Sequence, residues 1–123
     1  MTGLNFLKSY LHEDISYSIL QLVDDFNAAP DKFLKQIEEK GKDINADKYS
    51  EGLKVIIALV DHLLQVKGFD VPQWLRVDAF KMDKALYLSR ASNGFDVARL
   101  IAHTPAPFKA RNIFINPSSL ERV

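Results

Sequence analysis

One segment constrains the fold more than any other: a stretch of helical periodicity between Asp47 and Lys67. Asp47 can cap its start, and Gly68 stands just beyond its end, where a left-handed residue commonly stops a helix. Positions that recur every three or four residues form one broad stripe, made by Tyr49, Leu53, Ile56, Ile57, Val60, Leu63, Leu64 and Lys67. Because Val55 and Leu59 extend this apolar surface, we predict a central helix that is buried on more than one side.

Two further helices are predicted in the first half of the chain. Asp14 can cap a helix whose apolar residues share one face: Ile15, Ile19, Leu22, Val23 and Phe26. Ala29 and Pro30 end this helix, and Pro30 suits the first turn of the next one, which Gly41 can end. The short connections favour antiparallel packing of these helices against the central one.

The second half of the chain gives weaker signals. Pro72 can begin a short helix within residues 70–75, and another helix is predicted from about residue 93 or 95 to His103. Residues 79–91 fit a helix and a strand equally well. Residues 112–115 can form one short strand, which would find no partner in an all-α domain unless another chain supplied one.

The remaining prolines and the length of the chain complete the predicted fold. Residues 104–107 contain two prolines and are predicted to be extended or turn-like, and Asn116 and Pro117 can cap and begin a terminal helical turn. The chain has 123 residues, which fits one domain, since domains commonly have about 100–150 residues. We predict a mainly α, single-domain helical bundle over residues 1–123, with four to six helices, an irregular C-terminal segment and at most one short strand.

Several classes of protein are excluded by what the chain lacks. It contains no cysteine, which excludes disulfide scaffolds, thiolate zinc sites and cysteine nucleophiles. Its longest apolar run, residues 55–60, is far shorter than the roughly 20 residues of a membrane-spanning helix. Residues 1–8 show neither the basic region nor the apolar run of a signal peptide. These observations predict a cytoplasmic protein with no membrane partner.

Charge is balanced overall but unevenly distributed. The chain has 16 basic and 16 acidic residues, so a histone-like nucleic-acid coat is not expected. Residues 1–69 carry 8 basic and 11 acidic residues, whereas residues 70–123 carry 8 basic and 5 acidic ones. We predict an acidic and a basic end. The sequence leaves open whether these ends meet within one chain or between copies in a homo-oligomer.

Two acidic segments match metal sites incompletely. Residues 43–47, Asp-Ile-Asn-Ala-Asp, fit the first three ligand positions of an EF-hand calcium loop. Lys48 stands where that loop needs Gly, and Lys54 where it needs a bidentate Glu, so a polar loop is favoured. Residues 12–14, His-Glu-Asp, are consecutive, and consecutive helical residues point apart. We predict no metal site and no cofactor, with a metal-dependent enzyme built on residues 12–14, or on the carboxylates of the first helix, as a second alternative.

Motifs for catalysis are also lacking. The chain has no Gly-x-Ser-x-Gly motif, no Ser-x-x-Lys motif and no phosphate-binding P-loop. The pairs Asp24 with Asp25 and Asp78 with Asp83 are candidates for acid–base catalysis, but nothing in their spacing singles them out, and the charged face of an amphipathic helix explains them. We therefore predict no catalytic residues, and a non-catalytic protein is favoured over an enzyme.

Aromatic and basic residues alternate in residues 107–114, Pro-Phe-Lys-Ala-Arg-Asn-Ile-Phe. Such interleaving is typical of sites that stack bases and contact phosphates, and a basic surface also suits an acidic protein. In the simplest interpretation, Phe108 and Phe114 anchor this segment in the core while its basic residues stay solvated. Trp74, the single Trp, fits either the core or a binding hot spot. The predicted partner-binding residues are Trp74, Arg99, Lys109 and Arg111.

Short segments of the second half resemble a class of small bacterial proteins. They are Pro-Gln-Trp-Leu at 72–75, Arg-Leu-Ile at 99–101, the segment 107–115, and Leu-Glu-Arg-Val at 120–123. Over about residues 70–123 the chain resembles small uncharacterised bacterial proteins, some of which are similar to the antitoxin-side members of toxin–antitoxin pairs. The resemblance implies a binding role and assigns no functional residue.

Taken together, these patterns predict a small intracellular protein that binds a macromolecular partner without catalysis. Its most specific form is a regulatory or antitoxin-like protein whose basic C-terminal region masks an acidic surface of another protein. The alternative is a nucleic-acid-binding regulator that uses the same basic patch. Salt distinguishes the two, because phosphate contacts release counter-ions and make binding steeply salt-dependent.

Overall fold

A computed structural model describes residues 3–38, 49–88 and 94–120, most of which are helical. Six α-helices lie in these ranges: α1 (Gly3–Lys8), α2 (Ile15–Ala28), α3 (Pro30–Glu38), α4 (Glu51–Val66), α5 (Gly94–His103) and α6 (Ala106–Lys109). The same ranges contain three short 3₁₀ helices, Gln73–Arg76, Asp78–Phe80 and Pro117–Leu120. They also contain two strands, β1 (Leu86–Tyr87) and β2 (Ile113–Phe114). The prediction of a mainly α fold is confirmed.

The start and the buried face of α2 agree with the prediction. Asp14 has extended backbone, and its Oδ1 accepts a hydrogen bond from the Ser16 amide at 2.9 Å. Four of the five predicted face residues are buried, and Ile15 is half-buried. Pro30 begins α3, as predicted, whereas the predicted end of that helix at Gly41 lies outside the described residues.

α4 is the predicted central helix, but it begins later than predicted. Ser50 is its N-cap, because the Ser50 Oγ accepts a hydrogen bond from the Leu53 amide at 3.2 Å. The predicted cap, Asp47, lies outside the described residues. Residues 55–60 are at most 1% exposed, so the helix is covered on several sides. Beyond its end, Gly68 adopts a φ of 78°, the left-handed conformation expected there.

Both halves of the chain pack against α4. From the first half, α1 and α2 contact it, and α3 packs on α1 and α2. From the second half, α6 and the 3₁₀ helices Gln73–Arg76 and Asp78–Phe80 contact it. Buried apolar residues from Leu4 to Leu120 form one hydrophobic cluster. Among the helices described, none combines the length and apolar character needed to cross a membrane.

The strands correct the prediction of at most one strand. β1 comes from residues 79–91, which the sequence left ambiguous, and it pairs with β2 in parallel. Leu86 lies opposite Ile113, and Tyr87 lies opposite Phe114. The partner of the predicted strand therefore comes from this chain. Local sequence could not indicate it, because the two segments are brought together by the fold.

A second correction concerns residues 104–107, predicted to be extended or turn-like. Pro105 is extended, but Ala106 begins α6, and Pro107 occupies its first turn, where a proline costs no helical hydrogen bond. Asn112, with a φ of 63°, then leads the chain into β2 in a conformation that Asn tolerates. The terminal helical turn predicted at Pro117 is confirmed as Pro117–Leu120.

Candidate functional site

One acidic residue interrupts the apolar surface of α4. Asp61 directly follows the buried run at residues 55–60, and its side chain is 2% exposed. An ionised carboxylate in such a place is costly unless charged and hydrogen-bonding partners compensate for the lost water. The residues that compensate Asp61 therefore define the most polar part of the interior.

Three side chains donate four hydrogen bonds to Asp61. Gln65, one turn later on α4, donates from Nε2 to Oδ1 at 2.8 Å. Arg76 donates from Nη2 to Oδ1 and from Nε to Oδ2, each at 3.0 Å. Arg111 donates from Nη2 to Oδ2 at 2.9 Å, although it lies 50 residues further along the chain. Asp61 thus joins α4 to two separate segments of the second half.

Arg111 is as buried as the carboxylate it contacts. The residue is 3% exposed and stands two positions after the end of α6. Its Nη2 also donates to the Leu75 carbonyl and its Nη1 to the Pro107 carbonyl, both at 2.7 Å. These bonds fix the guanidinium between the 3₁₀ helix Gln73–Arg76 and α6. We call Asp61, Arg76 and Arg111 the ion cluster.

The ion cluster keeps Asp61 in its charged form. Burial raises the pKa of Asp61, but the hydrogen bonds from Arg76, Gln65 and Arg111 and the charge of Arg111 together outweigh burial, so this pKa lies below its usual range. Burial lowers the pKa of Arg111, and Asp61 opposes that shift. An arginine nevertheless keeps its proton in proteins. The cluster therefore holds two positive charges and one negative charge.

A cleft of about 350 Å³ opens beside the ion cluster. Its charged lining is Arg76, Lys81, Arg111 and Asp61, and the rest of its wall is Gln65, Val77, Ala106, Pro107 and Ala110. The side chains of Arg76 and Lys81 are 51% and 52% exposed. The described lining residues thus include three cations and one carboxylate, whose oxygens are already hydrogen-bonded. We call this cavity the basic cleft.

Trp74, predicted to contact a partner, lies in the core. It is 6% exposed, and its indole Nε1 donates a hydrogen bond to the Ile37 carbonyl at 2.9 Å. Its ring lies edge-on to Phe80, with the centroids 6.3 Å apart. Ile37 lies on α3, in the first half of the chain. Trp74 therefore joins α3 to the second half, and its ring is not offered to a partner.

The three basic residues predicted with Trp74 are divided between surface and interior. Arg99 on α5 and Lys109 on α6 are exposed, whereas Arg111 is buried in the ion cluster. Phe108 and Phe114 are also buried, so the interpretation in which they anchor the segment in the core is confirmed. That interpretation was wrong in leaving Arg111 solvated, because Asp61 supplies a buried counter-charge.

Residues 12–14 support local structure. The Asp14 amide donates a hydrogen bond to His12 Nδ1 at 3.2 Å, and the Asp14 side chain caps α2. Within residues 3–38, 49–88 and 94–120, no three His, Cys, Asp or Glu residues are grouped so that they could hold a metal ion. The calcium-like segment at residues 43–47 lies outside those ranges.

Asp61, Gln65 and Arg76 were not part of the predicted site. One signal for them exists in the sequence: a charged residue inside an apolar helix, with a hydrogen-bonding residue four positions later on the same face. The cations that meet Asp61 have no such signal, because Arg76 and Arg111 come from separate segments.

Comparison of the chain with protein-family models, with curated proteins and with solved structures finds no match. The charge and shape of the basic cleft are therefore the observations from which a function is inferred.

Proposed function

We propose that this chain is a non-catalytic binding protein whose basic cleft recognises an acidic segment of a partner protein. The observation that carries the proposal is the surplus of positive charge among the described residues that line the cleft: Arg76, Lys81 and Arg111 face a single carboxylate, Asp61, which already accepts four hydrogen bonds. An incoming carboxylate would meet Arg76 and Lys81 at the cleft surface, where both side chains are half-exposed.

Arg76 is held ready for such a contact. Its fork to Asp61 uses Nε and Nη2 and fixes the guanidinium while about half of the side chain stays exposed. Guanidinium groups bind carboxylates through charge-assisted hydrogen bonds, and a fixed group loses less conformational entropy when a ligand binds. Lys81 adds a more flexible cation beside it. Its present partner, Asp78, is a highly exposed carboxylate that a ligand can displace at little cost.

The geometry favours an acidic protein segment over the nucleic-acid alternative. Sites for single-stranded nucleic acid combine cations with exposed aromatic rings, on which bases stack. Phe108 and Phe114 are buried, and no aromatic side chain lines the basic cleft within the described part of the chain. The apolar part of its wall, Val77, Ala106, Pro107 and Ala110, is small and suits peptide side chains.

In its specific form, the proposed role is regulatory or antitoxin-like: the chain covers an acidic surface of its partner in the cytoplasm. Complementary charge supports this role, because it accelerates association and selects among partners. Lys109 adds an exposed cation on α6, the helix whose Ala106 and Pro107 line the basic cleft.

Peptide binding tests the proposal. Fluorescence anisotropy of a short labelled Glu-rich peptide would compare the wild type with the double variant Arg76→Gln/Lys81→Gln. The matched control is Lys32→Gln, which removes an exposed cation from α3, away from the cleft lining. We expect the double variant to bind about tenfold more weakly, because two exposed charge contacts of up to about 1 kcal/mol each are lost. The control should bind as the wild type does.

Two results would contradict the proposal. An equal loss of binding in Lys32→Gln would show general charge attraction without a site. A thymidine oligonucleotide that binds more tightly than the peptide, and that is lost in the double variant, would establish the nucleic-acid alternative instead. Thermal unfolding checks that the variants fold, and Asp61 keeps Gln65 and Arg111 as partners when Arg76 is replaced.

A further inference from the structure

A second cavity, of about 480 Å³, lies at the N-terminal end of α4. It is bounded by the connection between α1 and α2, by the first turns of α4 and by β1 with the residue that follows it. Its volume falls within the range of about 300–1,000 Å³ in which small-molecule sites are found. It shares no lining residue with the basic cleft, so the two sites can be tested separately.

The wall of this cavity is mainly aliphatic. Five side chains provide the apolar surface: Leu11, Ile15, Val55, Leu86 and Leu88. Gly52 lets Leu11 approach α4 closely, since a Cβ at that position would lie 3.1 Å from Leu11 Cδ2. Leu11 is 39% exposed, although a side chain of this type gains from burial. The cavity thus offers apolar surface that an apolar ligand could cover.

The polar part of the wall carries negative charge. Glu13 and Glu51 line the cavity and are exposed, and neither forms an ion pair with any residue in the described ranges. The lining includes no Lys or Arg among the residues described. His12 Nδ1 accepts a hydrogen bond from the Asp14 amide, and the Ser50 hydroxyl is used as the cap of α4. Among the described lining residues, the two carboxylates therefore set the charge.

We propose that this cavity binds a small organic cation, namely a protonated primary amine that carries an aliphatic or aromatic group. The hydrocarbon part would cover the aliphatic wall, and the ammonium group would lie at the rim with Glu13 and Glu51. This binding site is additional to the recognition of an acidic partner, and it does not depend on that function.

Titration of the ¹⁵N-labelled chain near neutral pH with three matched ligands tests the site. Hexylamine, 1-hexanol and hexanoate share one hydrocarbon chain and differ in charge. Hexylamine should shift the amide signals of Gly52, Val55 and Leu88 in a saturable way, with a dissociation constant on the order of 1 mM for so small a ligand. 1-Hexanol should bind about fivefold more weakly, since exposed ion pairs contribute at most about 1 kcal/mol each, and hexanoate should bind still more weakly.

Charge-neutral variants provide the matched comparison. Glu13→Gln/Glu51→Gln should bind hexylamine and 1-hexanol equally, whereas Glu38→Gln, which changes an exposed carboxylate on α3, should keep the fivefold preference. Circular dichroism checks that α4 remains folded. The proposal is overturned if the shifts do not saturate, or if the wild type shows no preference for the amine. Saturation by a Lys-containing apolar peptide but not by hexylamine would also overturn it, because the occupant would then be a protein segment.

Discussion

The two halves of this protein are held in place in different ways. α1–α4 pack mainly through apolar faces, as in the fully buried run at residues 55–60 of α4. In the second half, buried polar side chains add to the apolar packing: Trp74 binds the Ile37 carbonyl, Thr104 binds the Leu100 and Ile115 backbone, and Arg111 binds Asp61 and two carbonyls. Several of these hydrogen bonds join segments that are distant in sequence and satisfy buried polar groups, so they help to position the second half.

Removing Arg111 is the strongest test of this contrast. In Arg111→Met, the Leu75 and Pro107 carbonyls lose their donor and Asp61 loses a buried counter-charge. We expect the free energy of unfolding to fall by about 3–4 kcal/mol, the usual cost of breaking a buried pair. Urea unfolding followed by Trp74 fluorescence measures it. In the first half, Leu59→Ala removes most of a buried apolar side chain. We expect it to lower the free energy of unfolding by a similar amount, about 2–5 kcal/mol.

A double variant separates charge from packing. Asp61→Leu/Arg111→Met replaces both buried charges by apolar groups, and it should recover the part of the loss in Arg111→Met that comes from leaving Asp61 without its buried counter-charge. Arg76 then lacks its carboxylate but is half-exposed to water, and the Leu75 and Pro107 carbonyls still lack their donor. If the two substitutions instead add their separate losses, Asp61 and Arg111 are not energetically coupled, and the role assigned to Asp61 is wrong.

Trp74→Phe should have an intermediate effect. The variant keeps an aromatic ring in the core but leaves the Ile37 carbonyl without its donor. We expect a loss of about 1–2 kcal/mol in the free energy of unfolding. Circular dichroism in urea is the suitable probe, since the variant lacks the single Trp. A stability equal to that of the wild type would show that this hydrogen bond does not help to position the second half.

A smaller change probes the first half. Ser50→Ala removes the N-cap of α4 and should cost about 1 kcal/mol, and Ser50→Asp should restore most of it. Urea unfolding of the two variants side by side measures the difference. A loss in Ser50→Ala as large as that in Arg111→Met would show that a single polar contact is as important in the first half of the protein as in the second.

The smallest expected effect depends on pH and on His62. This residue is half-buried on α4 beside Asp61, and its ring centroid lies 6.0 Å from that of Phe108. Burial lowers its pKa, against the opposing charge of Asp61, so the folded state favours the neutral ring. Its contribution to stability is therefore complete above the unfolded value of about 6.5 and is lost as the pH falls below that value.

We expect the stability of the wild type to decrease more between pH 7 and pH 5 than that of His62→Gln, by a few tenths of a kcal/mol. Asp61 stays charged over this range because its pKa is lowered. Urea unfolding of both proteins at pH 7 and at pH 5 measures the difference. An equal decrease in the free energy of unfolding in the two proteins would contradict the pKa shift assigned to His62.

The contrast between the halves also explains what the sequence could predict. Asp14, Pro30 and Gly68 act within one or two turns of the chain, and the apolar spacing of α2 and α4 is equally local. β1, α6 and the ion cluster depend on segments that are distant in sequence. Arg111 and Trp74 are residue types that are common at binding surfaces, but both are buried in this protein. Asp61 and the Ile37 carbonyl satisfy their polar groups. The sequence predicted a basic second half, but not which of its cations reach the surface.

The place at which an acidic protein segment binds can be measured directly. ¹⁵N-labelled chain would be titrated with a Glu-rich peptide, and the shifts mapped onto the structure. We predict the largest saturable shifts at Gln65, Val77 and Ala110, which line the basic cleft, and their loss in Arg76→Gln/Lys81→Gln. Saturable shifts centred on other residues, or shifts that persist in the double variant, would contradict recognition by the basic cleft.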